Sequence, residues 1–250
     1  MDPSVVVNIG EYFQEYTKYR YFTVPSDMSR GAAAPHPEKP APRGAKPLDI
    51  SDEEQSLTKR PEGLFQLLQA RRSRREYAGK ALTLGELAGL LWATQGVLET
   101  GAGYSLRTAP SAGARHPLET YLNFNRVEDQ APGLYRYLPF RHEIVQLSEG
   151  AAVAAALQAA CLGQEMFTAC AVSFIWTAVI RRSAWKYQQR AYRYIYLDAG
   201  HACQNLYLAC EALGLGCCAV AAYDDDAVNR ILAVDGKEEF AIYLATVGHR

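Results

Sequence analysis

The sequence predicts one α+β body preceded by an arm of different character. Three observations carry this. Of the 250 residues 49% are hydrophobic and 21% charged, so a sizeable core can form without metal or disulfide staples. Helix-like and strand-like segments are mixed without a regular β-α-β alternation, which favours α+β over a doubly wound sheet. Six of the twelve prolines fall between Pro25 and Pro47, where they block both helix and ladder. Residues 1–60 therefore read as an arm and linker, and residues 61–250 as the body.

The elements follow in order. Glu11 to Phe22 is rich in tyrosine and predicts a short helix with Phe13 on its apolar side. Pro25–Pro47 predicts an extended arm, either a loose tail or a strap wrapped over a neighbouring subunit. Leu64, Phe65, Leu67 and Leu68 have helical spacing. Thr83 is placed to cap a second helix, with Glu86 completing a capping box and Leu84, Leu87, Ala88, Leu91 and Trp92 as its stripe. Val97–Pro117 reads as a loop. Leu118–Asn125 alternates as a strand, and Gly133–Leu138 with His142–Leu147 predicts a hairpin turning near Pro139. A helix starts near Ala151, and Ala169–Ile180 is a fully buried strand. Ser183–Leu213 lacks proline and predicts one long central helix ending at Gly214. Cys217–Ala222 is a buried strand, Asp224 caps a helix to Leu232, and Phe240–Val247 is a closing strand.

Composition narrows the function. With 26 basic against 27 acidic residues the net charge is −1, so no global attraction draws nucleic acid or anionic membrane. The longest strongly apolar run, Ala169–Ile180, is short of the roughly 18–20 residues that span a bilayer. Met1-Asp2-Pro3 lacks a basic, then apolar, export signal, and the expected location is the cytoplasm. The six cysteines form no C-x-x-C, and Cys203, Cys210 and Cys217 recur every seven residues as small apolar positions on a helix face. No metal site is expected. Gly101-Ala102-Gly103 lacks the third glycine of a dinucleotide fingerprint, and no Gly-Lys-Ser/Thr makes a phosphate loop.

Two segments have the residue types of a binding site. Arg71-Arg72-Ser73-Arg74-Arg75 stands at a helix end. It is either a solvated basic terminus favoured by the helix dipole or a grip for phosphate oxygens, which guanidinium forks and a hydroxyl suit. Residues 107–119, Arg-Thr-Ala-Pro-Ser-Ala-Gly-Ala-Arg-His-Pro-Leu-Glu, are small enough for a flat ligand to lie against backbone, or simply form a tight loop before a strand.

These segments, together with L-T-L-G-E-L-A-G-L-L-W-A-T-Q-G, P-G-L-Y-R-Y, W-K-Y-Q-Q-R-A-Y-R-Y, L-D-A-G-H-A-C-Q-N-L-Y and A-Y-D-D-D-A-V-N, resemble in ordered series the nitroreductase superfamily. Within it the sequence is most similar to the SagB-type (thiazole/oxazole-forming) dehydrogenases that use FMN. The resemblance implies an α+β fold with a central mixed sheet flanked by helices, entwined as a homodimer with FMN at the subunit interface. By the same resemblance Arg71, Arg72, Ser73 and Arg75 grip the phosphate, ribityl chain and pyrimidine edge. Pro110, Ser111, Ala112, Gly113 and His116 approach the flavin from the partner, Ala221 and Ala222 lie beside its N5 and O4 edge, and Arg250 adds to the phosphate site. Two departures concern the substrate face. Ala114 and His116 stand where many nitroreductases have asparagine and glutamine, and Ala221 stands where SagB-type relatives usually have glycine.

Lys186-Tyr187 matches the pair associated with azoline oxidation. A lysine near a flavin and an aromatic ring can accept a proton; the plain alternative is two ordinary residues at a helix start. His201 reads as a helix-packing histidine. The resemblance implies oxidation of an azoline-like small or peptidic substrate, with a cyclodehydratase complex as possible partner. Two alternatives stand beside it: nitro or quinone reduction driven by NAD(P)H, and a non-catalytic flavin- or peptide-binding subunit of a modifying complex.

Overall fold

A computed structural model of the chain describes Phe13 and residues 23–51 and 63–250. Its strands are β1 (Pro47–Asp49), β2 (Val97–Gly101), β3 (Tyr104–Arg107), β4 (Leu118–Phe124), β5 (Gly133–Leu138), β6 (Glu143–Glu149), β7 (Val172–Val179), β8 (Leu215–Val220) and β9 (Glu239–His249). The helices are α1 (Leu64–Ala70), α2 (Leu84–Gln95), α3 (Ala152–Ala160), α4 (Met166–Ala169), α5 (Ile180–Tyr187), α6 (Ala191–Ala212) and α7 (Asp225–Leu232).

Seven strands form one sheet in the order β1-β6-β5-β4-β7-β9-β8, and every pairing of neighbours is antiparallel. The α+β fold is the one expected, but the sheet is antiparallel rather than mixed. Among the described residues parallel pairing is confined to the isolated bridges Ser73–Cys217 and Leu82–Val127. Alternation sorts the side chains of β4 and β7 onto two faces. Leu118, Leu122, Phe124, Phe174 and Trp176 join α2 and α6 in one core, while Tyr121 and Ile175 join α3, α4 and α7 in the other. Covered on both faces, β4 is buried at every position.

The capping box forms as expected. Thr83 Oγ1 accepts the Glu86 amide at 3.1 Å and the Glu86 carboxylate accepts the Thr83 amide at 2.8 Å, which fixes the start of α2. Three boundaries differ from expectation. Val97–Pro117 contains the β2–β3 hairpin, which leaves Leu98 and Leu106 exposed. β2 has no buried position, and in β3 the polar Ser105 and Arg107 are buried while Tyr104 and Leu106 face outward, so the usual apolar alternation is missing. The buried strand near residue 175 is bracketed by helices, α4 before it and α5 directly after it. The single long helix is two helices. Gln188 adopts φ 49°, ψ −135° and breaks the chain between α5 and α6, with no proline or glycine to mark the place.

Apart from hydrogen-bonded turns at residues 27–31 and 43–44, the described part of the arm before β1 has neither helix nor strand, and it lies on its own body. β1 pairs with β6, and residues 36–40 lie over three buried arginines. Arg182 Nε donates to the His36 carbonyl at 3.2 Å, Arg107 to that of Pro37 at 3.4 Å, and Arg136 to those of Lys39 and Pro40 at 3.1 and 2.6 Å. Glu119, equally buried, pairs with Arg182 and accepts the Lys39 amide. The tyrosine-rich helix expected at residues 11–22 lies outside the described residues except for Phe13, whose ring meets Tyr196 edge-on at 5.9 Å.

Candidate active site

The chain leaves α1 at Arg71 and runs beside the sheet edge, where Ser73 bridges Cys217 and the Arg74 amide donates to the Cys217 carbonyl at 2.8 Å. Tyr77 pins this run. Its hydroxyl donates to the Arg74 carbonyl at 2.8 Å and meets Thr246 Oγ1 at 2.7 Å. The ring needs Gly248 beneath it, where a Cβ would stand 3.0 Å from Tyr77. Tyr207 of α6 supports the same run from below: its hydroxyl lies 2.9 Å from Ser73 Oγ and accepts the Ala219 amide at 2.8 Å, and the Arg71 guanidinium stands 5.3 Å over its ring.

Part of this run borders an open cleft of about 750 Å³ lined by Ser73, Arg74, Arg75, Glu76, Tyr77, Ala78 and Arg250. Arg250 is oriented by Glu211 at 2.6 Å and by the Leu215 carbonyl at 2.9 Å, which use donors on two of its nitrogens. The donor set suits a phosphate: several guanidiniums, a hydroxyl, and a buried Arg74 Nε without a hydrogen-bond partner. Arg71 and Arg72 lie outside this lining: Arg71 stands over the Tyr207 ring, and Arg72 is exposed and turns back to the carbonyls of Gln69 and Arg71 at 3.0 and 2.7 Å, capping α1.

The second cluster lies at the other stretch of α6. Ser111 Oγ donates to Asp198 Oδ2 at 2.6 Å, and Gly113 meets α5. A Cβ at Gly113 would stand 2.5 Å from the Tyr187 hydroxyl and 3.0 Å from Lys186 Nζ, and its φ of 60° is also one that side chains disfavour. The structure thus brings the Pro110–Gly113 loop and the Lys186–Tyr187 pair together within one chain. Burial raises the Tyr187 pKa, with Tyr194 and Asp198 acting in the same sense and Arg115 against it. Trp185, next in sequence, is fixed by the arm: its carbonyl accepts the Met28 amide at 2.8 Å, and its indole donates to the Ala32 carbonyl at 2.7 Å. Arg115 stacks over its ring at 4.8 Å.

The His116 side chain is turned into the protein. It is 5% exposed, its Nε2 lies 2.8 Å from the Ser105 carbonyl, and burial lowers its pKa to about 3. A neutral ring closes the loop there. Ala221 and Ala222 are exposed just beyond β8. His201 is also exposed, with Nδ1 3.3 Å from the Pro110 carbonyl.

Asp198 and Tyr207, which anchor the two clusters, are nine residues apart on α6, about 14 Å along its axis at 1.5 Å per residue. Neither was singled out from sequence. The available signal was a polar group at a buried helical position, which requires a partner.

The nitroreductase family model matches residues 68–249. The chain belongs to the nitroreductase family. It is 36% identical to a Methanocaldococcus jannaschii protein named nitroreductase MJ1384, over 75% of this chain and 91% of that one. It is 32% identical to the trifolitoxin-processing protein TfxB of Rhizobium leguminosarum bv. trifolii, over 59% of this chain and 41% of TfxB. A nitroreductase crystal structure from Anabaena variabilis superposes with a TM-score of 0.75 and 28% identity, covering 96% of this chain but only 46% of the other. The chain is therefore a nitroreductase-family oxidoreductase. Among its described residues no helix is long and apolar enough to cross a membrane.

Proposed function

We propose that the chain is an FMN-dependent dehydrogenase of the SagB type, oxidising an azoline-like ring in a small or peptidic substrate, and that it works as a homodimer. The observation that carries this reading is the convergence of Lys186 and Tyr187 on Gly113 of the Pro-Ser-Ala-Gly loop. Arg71, Ser73, Arg75 and Arg250 would hold the phosphate, and Ala221 and Ala222 would border the ring. Because the phosphate cluster and the loop occupy different stretches of α6, one complete site would take the first from one subunit and the second from its partner. Bound there, FMN supplies the two-electron acceptor. Lys186 would take the proton from one ring carbon while the adjacent ring carbon gives up a hydride, so that a double bond forms between the two and the ring becomes aromatic. Tyr187, kept neutral by its surroundings, orients the substrate or relays that proton through its hydroxyl.

The likeness to TfxB supports a peptide-processing setting, in which a cyclodehydratase complex would supply the ring. A second reading, nitro or quinone reduction driven by NAD(P)H, is favoured by the likeness to the Methanocaldococcus jannaschii protein. The deciding experiment reconstitutes the purified chain with FMN and compares two assays: oxidation of a thiazoline-containing dipeptide, and anaerobic NAD(P)H oxidation with a nitroaromatic acceptor. Thiazole formation that is lost in Lys186→Ala supports the dehydrogenase. Nitro reduction alone supports the reductase, and failure to retain FMN refutes both.

A further inference from the structure

Asp198 sits in the middle of α6 with 4% exposure, and the chemistry above does not use it. Both of its oxygens serve one loop. Oδ2 accepts the Ser111 hydroxyl at 2.6 Å and Oδ1 accepts the Ala112 amide at 3.2 Å. Ser111 Oγ in turn accepts the His116 amide at 2.9 Å. One helical turn further along α6, His201 reaches the Pro110 carbonyl.

This loop needs holding. Gly113, Ala114 and His116 have φ of 60°, 53° and 44°, and a non-glycine residue in that region is strained unless its surroundings determine it. The loop so determined is the one against which the Tyr187 hydroxyl and Lys186 Nζ lie.

We propose that Asp198 is a positioning residue of this site: by holding the Ser111–Gly113 backbone, its carboxylate sets the surface on which Lys186 and Tyr187 act. The catalytic consequence rests on the oxidoreductase reading above; the hold on the loop does not. A carboxylate is specifically required because both of its oxygens accept. Asparagine offers one acceptor and one donor: if its oxygen accepts the Ala112 amide, its NH2 can only donate to Ser111 Oγ and the Ser111 O–H is left without this acceptor, and if it is turned the other way the Ala112 amide faces a donor. The charge of Asp198 also reaches Tyr187 through space, where Tyr194 of α6 acts in the same direction and Arg115 of the loop against it. Lys186 of α5 completes the charged surroundings, with Nζ 5.5 Å from the Tyr187 ring centre.

The test compares the parent with Asp198→Asn, Ser111→Ala and Ser111→Thr, the last of which keeps the hydroxyl. In the FMN-free protein, hydrogen exchange across residues 110–116 becomes about tenfold faster or more in Asp198→Asn and Ser111→Ala and stays near the parent rate in Ser111→Thr. Tyrosinate absorbance, taken as a difference against Tyr187→Phe in each background, moves to lower pH in Asp198→Asn. In the FMN-loaded protein, kcat for a thiazoline dipeptide falls about 10- to 100-fold in Asp198→Asn and Ser111→Ala while KM moves less than about threefold. Parental exchange together with a parental Tyr187 titration in Asp198→Asn overturns the proposal. Should Asp198→Asn fail to fold, the contrast of Ser111→Ala with Ser111→Thr decides: exchange that is equal in the two overturns it. A parent that binds no FMN, with exchange and titration changed as stated, refutes the FMN reading and supports the hold on the loop.

Discussion

Glu119→Gln is the sharpest probe of the arm and the charges beneath it. Glu119 is 3% exposed in β4, with Arg107, Arg136 and Arg182 around it at 6%, 1% and 3%. Oε1 pairs with Arg182 and accepts the Lys39 amide at 3.2 Å, while Oε2 stands 4.0 Å from Arg136 Nε. Burial, with Arg182 adding to it, already lowers the Arg107 pKa to about 10, so that side chain is cationic at neutral pH but poorly solvated. Glutamine keeps the shape and one acceptor and removes the charge. Breaking a buried ion pair by removing one partner costs about 3–5 kcal/mol, because the remaining charge is uncompensated. At about 2–4 °C per kcal/mol for a domain of this size, Tm should fall by about 6–20 °C. Calorimetry at pH 7.5 measures it, and tryptic cleavage after Arg30 and Arg43 reports release of the arm. A Tm within about 2 °C of the parent, with the arm still resistant, would refute the reasoning.

Four further outcomes are expected. Arg71→Ala weakens FMN retention by about 10- to 100-fold, the value of a charge-assisted contact of about 1.5–3 kcal/mol, as measured by fluorescence titration; undiminished affinity removes Arg71 from the phosphate site. Lys186→Ala retains FMN and lowers thiazoline oxidation about 100-fold or more, whereas parental turnover makes the lysine structural. His116 is neutral in the fold with a pKa of about 3, against about 6.5 when unfolded. The unfolded chain therefore binds more protons between those values, and this contribution is complete above about pH 6.5 and lost as pH falls, by about 1.4 kcal/mol per unit. Denaturation from pH 7 to 4.5 should show a shallower slope in His116→Gln, and equal slopes refute it. Thr83→Ala removes the cap of α2 at about 1 kcal/mol, seen as a Tm lower by about 2–4 °C; an unchanged Tm means that packing alone holds the helix start.

What the sequence determined by itself is what near neighbours control. Thr83 and Glu86 meet across one turn, so their capping box was legible in four residues. Alternation placed β4, because successive side chains of a strand must face opposite ways, and a continuous apolar run marked β7. The ordered motifs carried the family. Tertiary structure decided the rest, because the partners are far apart in the chain: Ser111 and Asp198 by 87 residues, Arg182 and Glu119 by 63, Arg182 and His36 by 146. No local pattern tells an arginine that will be buried against proline-rich backbone from one that will face water, as Arg72 does. The break at Gln188 is of the same kind. Its left-handed backbone has no glycine to announce it, yet it separates α5 from α6 and lets Lys186 and Tyr187 meet Gly113. Periodicity reports which face of an element is apolar; what that face meets depends on loop closures that only the assembled sheet and helices define.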